Sequence, residues 1–226
     1  MNSTARIITV DGPAAAGKTT LGKLLAARLG YLFFDTGVMY RAVALAAYQN
    51  GADPADEAAV SELAENTAID VRPAPESDGR ANMVLLDGDD VSWAIHEPVV
   101  DDTVSKISAY GRVRAAMAAR QREIGLRGNV VMIGRDIGTV VLPEADLKIY
   151  LDASLEERAR RRHLEQDSRG GDLTPEEVQA GLARRDEEDA TRDPSPLKPA
   201  KDAILVDTTN LTPEEVLQKI EPRLKG

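Results

Sequence analysis

The chain contains no cysteine, only two histidines, and aromatic residues make up just 4% of it. Without cysteine it can form no disulfide, no thiolate metal site and no cysteine nucleophile, and this composition suits a reducing compartment. The first nine residues lack a basic stretch followed by a long apolar one, so no secretory signal is predicted. No apolar run approaches the roughly 18 residues that cross a bilayer. We therefore expect a cytoplasmic protein without membrane contact and, by default, a monomer.

A net positive charge is also missing, although its distribution matters more than its sum of −10. Residues 51–102 hold 14 acidic side chains against two arginines, a charge of −12, so the remaining residues carry a charge of +2. Charges further apart than the Debye length of about 8–10 Å are heavily screened. Arginines elsewhere in the chain can therefore still bind an anion locally. The acidic segment argues against a nucleic-acid partner, whose backbone it would repel.

What the chain does have is a glycine-rich turn near its start. Arg6–Val10 is typical of a short apolar strand, and it leads into Gly12-Pro13-Ala14-Ala15-Ala16-Gly17-Lys18-Thr19, the pattern of a phosphate-binding P-loop. Such a loop turns its backbone N–H groups and the following helix dipole towards a polyphosphate. We expect Lys18 to reach the outer phosphates and Thr19 to hold a magnesium ion. Alanine at position 15 costs little unless the turn requires a positive φ there.

Strand-like and helix-like segments alternate along the chain, which predicts an α/β fold with a parallel sheet covered by helices on both faces. Capping signals mark three helix starts, at Ser154, Thr174 and Pro213, and Asp87-Gly88 predicts a tight turn in a small inserted sheet. The predicted strands are Arg6–Val10, Tyr31–Phe34, Ala68–Arg72, Asn82–Leu86, Val130–Ile133, Leu147–Leu151 and Ala203–Val206. The predicted helices are Thr19–Leu29, Val38–Gln49, Glu57–Asn66, Arg112–Arg127, Ser154–Gln166, Pro175–Ala190 and Thr212–Leu224. We expect Trp93, the only tryptophan, to fill the core.

Polar residues follow three of the predicted strands, at Gly12–Thr19, Asp35–Gly37 and Gly134–Asp136. Ligands of parallel sheets bind beyond the carboxyl ends of the strands, so these segments are the candidate site. Two arginine rows belong with them at helical spacing: Arg185, Asp189 and Arg192, and Arg158, Arg161 and Arg162. Such rows are also typical of solvated ion pairs. Beside a phosphate loop, they favour stabilisation of the charge that develops during phosphoryl transfer.

The helix predicted at Arg112–Arg127 carries an apolar stripe that includes Arg120. Arg120 is therefore either buried with a partner or turned towards a ligand. Arg112 and Arg114 point to nearly opposite faces and cannot share one role. Spacing alone does not decide which of these arginines is functional.

Together these segments resemble the bacterial cytidylate kinase family over essentially the whole chain. The resemblance is carried by the run from Ile7 to Thr20 and by Asp35-Thr36-Gly37-Val38-Met39-Tyr40-Arg41. It continues in Gly134-Arg135-Asp136-Ile137-Gly138-Thr139-Val140-Val141, in Lys148 to Arg162, and in the later Arg184-Arg185-Asp186, Asp189, Arg192 and Pro196-Leu197. Two departures are Thr36, where the family often has serine, and Ala14-Ala15-Ala16, where serine and glycine are common.

The resemblance implies a P-loop nucleoside monophosphate kinase fold. Its expected parts are a single domain over residues 1–226 with a five-stranded parallel core, a monophosphate-binding insert at about 51–105 and a short lid at about 155–172. The implied reaction transfers a phosphoryl group from ATP to CMP or dCMP, with Mg²⁺ as cofactor.

The resemblance also implies roles for individual residues, which fall into three groups. ATP would bind Gly12, Pro13, Ala14, Ala15, Ala16, Gly17, Lys18, Thr19 and Thr20. The catalytic cations would be Lys18 and Arg135, with the lid arginines Arg158, Arg161 and Arg162 over the ATP phosphates. The acceptor would bind Thr36, Gly37, Tyr40, Arg41, Ser105, Arg114, Arg135, Asp136, Arg185, Asp189 and Arg192. Within this group, Thr36, Arg114 and Asp136 would approach the cytosine, Arg41, Arg135 and Arg192 the phosphate, and Ser105, Arg185 and Asp189 the sugar.

The residues leave room for other assignments. Another small-molecule kinase, with UMP or AMP as acceptor, is the nearest, but the chain lacks the Asp-Gly-Phe-Pro-Arg strand end of adenylate kinases and the Gly-Gly-Gly turn of shikimate kinases. A nucleotide-dependent switch is further away, because no Asn-Lys-x-Asp guanine-reading segment occurs. The carboxylate that supports the metal beside Thr19 stays open between Asp35 and Asp136.

Overall fold

A computed structural model describes residues 5–75, 80, 82–168, 172–193 and 195–224. Its strands are β1 (Ile7–Asp11), β2 (Leu32–Asp35), β3 (Ile69–Arg72), β4 (Met83–Leu86), β5 (Asp89–Asp90), β6 (Val130–Gly134), β7 (Leu147–Asp152) and β8 (Ile204–Asp207). Its helices are α1 (Lys18–Leu29), α2 (Gly37–Gln49), α3 (Glu57–Asn66), α4 (Pro98–Ile107), α5 (Gly111–Gly125), α6 (Leu155–Asp167), α7 (Pro175–Thr191) and α8 (Pro213–Ile220).

Five strands form the predicted parallel sheet, in the order β2-β6-β1-β7-β8. Their residues are mostly apolar and many are β-branched, as expected for strands that are buried on both faces. The register pairs Val10 with Ile149 and Tyr150 with Leu205, so β1, β7 and β8 end near one another at their carboxyl ends. The α/β class and the five-stranded parallel sheet flanked by helices are confirmed.

One compact unit consists of Met1–Leu29 with Val131–Gly226. Within it, Ala159 of α6 packs against Val178 and Leu182 of α7, and Ala14 of the glycine-rich turn lies against this cluster. Helix starts behave as the sequence predicts, since Thr174 and Thr212 each form a reciprocal capping box with the glutamate three residues on. The last helix is shorter than predicted: α8 ends at Ile220, and a 3₁₀ turn at Glu221–Arg223 takes in the next proline.

The other compact unit, Gly30–Val130, contains the small antiparallel sheet β3-β4-β5. Asp87 and Gly88 connect β4 to β5 with φ values of 51° and 96°, the left-handed conformations that a tight hairpin turn requires. The Asp87 carboxylate accepts a hydrogen bond from the Ala68 amide at 2.8 Å, which ties the turn to the start of β3. The inserted sheet and its turn are confirmed, while residues 76–79 of the connecting loop lie outside the described residues.

The expectation that Trp93 fills the core is wrong, because the structure leaves it 71% exposed. The Arg80 guanidinium lies 5.7 Å from the centre of its ring, a cation–π contact on an otherwise largely exposed indole. Helix α4 and a π-helical turn at Ile137–Val141 are two further elements that the sequence did not predict. Within the described ranges, no helix has the length and apolar character that crossing a bilayer requires.

Candidate functional site

The glycine-rich turn closes between β1 and α1 as the sequence predicts. A Cβ built at Gly12 would lie 2.1 Å from the Leu151 carbonyl oxygen of the neighbouring strand, so no residue with a side chain fits there. Gly12 and Gly17 have positive φ values of 146° and 94°, and Ala15 has a φ of 59°. The turn therefore does require a positive φ at position 15, the one case in which alanine is expected to be costly there. Ala15 holds a left-handed conformation that favours glycine.

Lys18, the first residue of α1, lies over the turn that precedes it. Its ammonium group donates to the carbonyl oxygens of Gly12 at 2.7 Å and Pro13 at 2.6 Å, and the residue is 8% exposed. A buried ammonium group is stable only where such acceptors surround it. Thr19 and Thr20 follow in the first turn of the helix and are exposed. The turn, the helix start and the cation are thus placed as a polyphosphate site requires.

The chain beyond β8 supports this turn from the other side. Thr208 donates its hydroxyl to the Ala16 carbonyl at 3.2 Å and receives a hydrogen bond from Arg161 at 3.0 Å. A Cβ at Gly17 would lie 3.9 Å from a terminal nitrogen of Arg161, which places that guanidinium beside the turn. Thr208 escaped the sequence analysis, although its position just past an apolar strand is the signal that identified the other strand ends.

The predicted lid arginines differ in how they are held. Arg158 is buried; it donates to both carboxylate oxygens of Asp186 and lies 3.4 Å from the Ala14 carbonyl oxygen. Glu157 accepts from both Arg160 and Arg161, and these contacts, with Arg160 first, lower its pKa to about 2. Arg162 is exposed and pairs with Glu165. Arg158 and Arg161 therefore adjoin the glycine-rich turn, while Arg162 is the most exposed of the three side chains. Residues 169–171 of the predicted lid lie outside the described residues.

A second cation cluster surrounds Asp189 of α7. One oxygen of this carboxylate accepts from Arg135 at 2.8 Å, and the other accepts from Arg192 at 2.9 Å. Arg192 also donates to the Ser195 carbonyl, which fixes the chain just past the helix. Burial, followed by the charge of Arg135, lowers the pKa of Arg185. The Arg135 and Arg185 guanidinium groups thus repel one another, which is the arrangement an anion stabilises.

Asp136 is buried directly after Arg135 and begins the π-helical turn. The two backbone N–H groups that follow it, at Ile137 and Gly138, donate to the carboxylate of Asp11. Asp11 is the last residue of β1 and escaped the sequence analysis. It also lies at the carboxyl end of a strand, so the rule that selected the other strand ends applies to it as well.

The remaining predicted acceptor residues belong to the unit Gly30–Val130. Arg41 donates to Asp101 at 2.6 Å and to the Ile95 carbonyl at 3.1 Å. Arg114 is buried with its guanidinium 5.8 Å from the centre of the Tyr40 ring. Asp35 at the end of β2 accepts from the Gly37 amide, Thr36 at the start of α2 is buried, and Ser105 of α4 is exposed.

Two other arginines of α5, Arg112 and Arg120, are tied to α3. Arg112 makes two hydrogen bonds to the Glu65 carboxylate, and Arg120 donates to the Glu65 carbonyl. Of the two alternatives for Arg120, the structure therefore shows the internal partner.

Two cavities accompany these clusters in the first unit. A cavity of about 410 Å³ lies beside the phosphate turn and is lined by Gly17, Thr20, Arg160, Arg161, Thr208 and Val216 among others. A second, of about 450 Å³, lies between α6 and α7 and includes Arg162, Arg184 and Arg185 in its lining. Among the described residues, no group of three or more histidine, aspartate or glutamate side chains could hold a metal ion.

Comparison with known proteins agrees with this geometry. The family model described as "Cytidylate kinase" matches residues 8–225. A cytidylate kinase of Chloroflexus aggregans is 56% identical, covering 92% of this chain and 89% of the relative. Those of Roseiflexus castenholzii and Geobacillus kaustophilus are 49% and 47% identical, over 98% and 94% of this chain and 94% and 93% of theirs.

Proposed function

Because this chain belongs to the cytidylate kinase family, it is an enzyme that phosphorylates CMP or dCMP with ATP, and we propose how its residues divide that work. Family membership also decides against the two alternatives, a kinase for another acceptor and a nucleotide-dependent switch. The observation that carries the proposal is the convergence of Lys18, Arg158 and Arg161 on one glycine-rich turn.

ATP binds with its phosphates on the turn from Gly12 to Thr20 in this proposal. Lys18 leaves the carbonyl oxygens of Gly12 and Pro13 for the outer phosphates, and Arg158 and Arg161 approach from α6. Arg162, the most exposed of the three lid arginines, pairs with Glu165 on its own helix and would have to leave this surface ion pair to reach the phosphates. The 410 Å³ cavity adjoins Thr20 at the start of α1, so it is the space available for the nucleoside of ATP.

Kinases of this family act on ATP together with a divalent metal, and we propose that the metal is Mg²⁺ held by the Thr19 hydroxyl. The residues fit such an ion, because Thr19 is exposed in the first helical turn beside the phosphate-binding backbone. The described residues contain no ready-made carboxylate cage, and Mg²⁺ usually takes its other ligands from phosphate and water. When bound, Mg²⁺ neutralises the charge that develops on the phosphates. Asp35 and Asp136 remain the candidates for the supporting carboxylate.

We propose acceptor-binding roles for two groups of residues. In the first unit these are Arg135, Asp136, Arg185, Asp189 and Arg192, and in the second Thr36, Gly37, Tyr40, Arg41, Ser105 and Arg114. Arg41, Arg135 and Arg192 bind the monophosphate, and the Asp189 carboxylate holds Arg135 and Arg192 in place through one oxygen each. A carboxylate accepts hydrogen bonds from an amino group, so Asp136 favours cytosine over uracil.

The chemistry needs no strong general base. The second ionisation of a phosphate lies near pH 6, so the acceptor is mostly a dianion at pH 7 and can attack directly. The task of the protein is then to hold two polyanions in line and to stabilise the charge that spreads over the transferring group. Fixed arginines perform this task, because they need not reorganise when the charge develops.

We further propose that residues 51–105 form the monophosphate-binding insert and residues 155–172 the lid of a single-domain, monomeric, cytoplasmic enzyme. The charge of −12 between residues 51 and 102 supports the absence of a nucleic-acid partner. Size-exclusion chromatography with light scattering tests the monomer directly, and a mass near 49 kDa, twice the chain mass of 24.4 kDa, would contradict it.

The decisive experiment is ADP release by the purified enzyme with ATP and each of CMP, dCMP, UMP and AMP. We expect CMP and dCMP to give kcat/KM values at least about tenfold above those for UMP and AMP. Mg²⁺ dependence is measured in the same assay by titration with EDTA and rescue with Mg²⁺ or Mn²⁺. Equal use of UMP and CMP would contradict the proposed role of Asp136.

A further inference from the structure

The carboxylate of Asp11 connects the end of β1 to the π-helical turn at Ile137–Val141. Asp11 ends β1 directly before the phosphate loop, is 5% exposed, and accepts from the amides of Ile137 at 2.9 Å and Gly138 at 2.8 Å. These two amides open the π-helical turn Ile137–Val141. The first N–H groups of a helical segment have no acceptor within it, so Asp11 supplies the cap from 126 residues away.

The residue that would ordinarily supply this cap is Asp136. Aspartate is among the residues most favoured at the start of a helix, where its own carboxylate accepts from the amides that follow. Here Asp136 occupies that position and makes no capping hydrogen bond with its side chain. Because Asp11 already accepts from the first two amides, the carboxylate of Asp136 is not drawn back onto its own backbone.

We propose that Asp11 is a positioning residue for the acceptor nucleotide, because it caps the turn in place of Asp136 and so fixes how Arg135 and Asp136 face the ligand. The proposal rests on the roles assigned to Arg135 and Asp136 under Proposed function. Asp11 itself needs no contact with either nucleotide.

The packing around Gly138 shows how little freedom this connection has. A Cβ added at Gly138 would lie 2.9 Å from the Thr9 hydroxyl oxygen, 3.3 Å from Asp11 Oδ2 and 3.3 Å from Lys148 Cδ. Lys148 cannot easily withdraw, because its ammonium group donates to the Pro143 carbonyl and to both oxygens of Asp202. The turn therefore lies against β1 and β7 at a distance that only glycine allows.

The electrostatics support the same conclusion. Burial raises the pKa of Asp11 to about 6, and the hydrogen bonds from Gly138 and Ile137 oppose that rise. The charge of nearby Asp136 raises it further, whereas Lys18 lowers it. Burial makes it costly to keep the Asp11 carboxylate ionised. The hydrogen bonds from the two backbone N–H groups offset part of that cost.

Asp11→Asn tests the proposal, with Asp152→Asn as the matched control. The amide replaces one acceptor by a donor, so one of the two backbone N–H groups loses its partner. Asp152 likewise ends a strand, β7, but is exposed, and within the described part of the chain its carboxylate accepts from the adjacent Ala153 amide alone. We expect Asp11→Asn to raise KM for CMP about tenfold with KM for ATP within about threefold, and Asp152→Asn to change neither.

Hydrogen exchange supplies a readout that does not depend on activity. In Asp11→Asn, the amides of Ile137 and Gly138 should lose protection relative to the rest of β6 and β7, whereas Asp152→Asn should leave them protected. Retained protection at both amides, an unchanged KM for CMP, or an equal rise in KM for both nucleotides would overturn the proposal.

Gly138→Ala keeps the test decisive if Asp11→Asn does not fold. Its added methyl group pushes on the same contact without altering any charge, so the same selective rise in KM for CMP is expected, and an unchanged KM overturns the proposal. Asp136→Asn distinguishes a failure of the role proposed for Asp136 from a failure of the positioning role of Asp11. If that variant keeps its preference for CMP over UMP, the proposed role of Asp136 fails, whereas persistent amide protection in Asp11→Asn defeats the positioning role alone.

Discussion

Both terminal nitrogens of Arg158 in α6 donate hydrogen bonds to the carboxylate oxygens of Asp186 in α7, at 3.0 and 2.6 Å. The Arg158 side chain is only 6% exposed, and its Nε donates to the Ala153 carbonyl. The guanidinium is thus held in one place by groups of the protein itself. A cation that is fixed in this way can stabilise developing charge without first losing conformational freedom.

Asp186→Ala should destabilise the protein by about 1–3 kcal/mol, because it leaves the buried Arg158 guanidinium without its counter-ion. The matched control is Glu165→Ala, which breaks the exposed pair with Arg162 and should cost less than about 1 kcal/mol. Urea unfolding followed by circular dichroism measures both. Equal effects of the two substitutions would show that burial does not distinguish these ion pairs.

Lys18→Ala should lower kcat by a factor of about one hundred or more, equivalent to about 3 kcal/mol of transition-state stabilisation. Lys23→Ala, further along the exposed side of the same helix, is the control and should leave turnover nearly unchanged. Steady-state ADP release at saturating ATP and CMP measures both. Near-normal turnover of Lys18→Ala would contradict the assignment of the phosphate loop.

Ala15→Gly should stabilise the protein by about 0.5–1 kcal/mol, because the left-handed φ of 59° strains alanine more than the added freedom of glycine costs in the unfolded chain. Ala14→Gly is the control: Ala14 has no positive φ, so glycine there should destabilise by a similar amount. Both are compared by urea unfolding without nucleotide. A loss of stability in both variants would mean that the strain at Ala15 is negligible.

Asp136→Asn should weaken the preference for CMP over UMP by about 1–3 kcal/mol, since a buried group that faces the wrong partner loses that much. The measurement is the ratio of kcat/KM for the two acceptors at constant ATP. Asp152→Asn again serves as control and should keep the ratio of the unmodified enzyme.

The pH dependence of stability should reveal Asp11. Its pKa is about 6 in the folded protein against 3.8 for the ordinary group, so between these values the folded protein holds a proton that the unfolded chain has released. This group therefore favours folding more as the pH falls through that window, by about 3 kcal/mol at most. Glu157 and Asp90, whose pKa values are lowered to about 2, contribute in the opposite direction at lower pH.

A comparison with Asp11→Asn isolates this contribution, because Glu157 and Asp90 are common to both proteins. The difference in unfolding free energy between the unmodified protein and the variant should shift in favour of the unmodified protein between pH 7 and pH 5. Urea midpoints at pH 5, 6 and 7 measure it. A difference that stays constant, or shifts the other way, would contradict the raised pKa.

The sequence predicts best those features whose signals are local. Thr174 with Glu177 marks the start of α7, and Asp87-Gly88 marks the hairpin, because caps and tight turns depend on residues a few positions apart. The phosphate loop is predicted for the same reason. The clusters are harder, since Asp189 holds Arg135 across 54 positions and Asp11 holds Ile137 across 126. Contacts between residues so far apart in sequence leave no periodic pattern from which they could be predicted.

Trp93 shows a different limit of sequence reasoning. A large aromatic side chain in a chain with few aromatics is expected inside, yet it lies exposed under Arg80, whose guanidinium also pairs with Asp90. Arg80 and Asp90 are charged, so they belong to no apolar pattern from which the contact between Arg80 and Trp93 could be predicted. The residue types were visible, but their packing depends on how the inserted sheet folds.

That exposed indole makes the enzyme its own spectroscopic probe. With one tryptophan in the chain, all of the indole fluorescence comes from a single known place beside the hairpin of β4 and β5. A solvent-exposed indole emits at long wavelength, and the quenchers iodide and acrylamide can reach it. A change in its intensity or quenching when a nucleotide is added would report directly on the contact between Arg80 and Trp93, without any label.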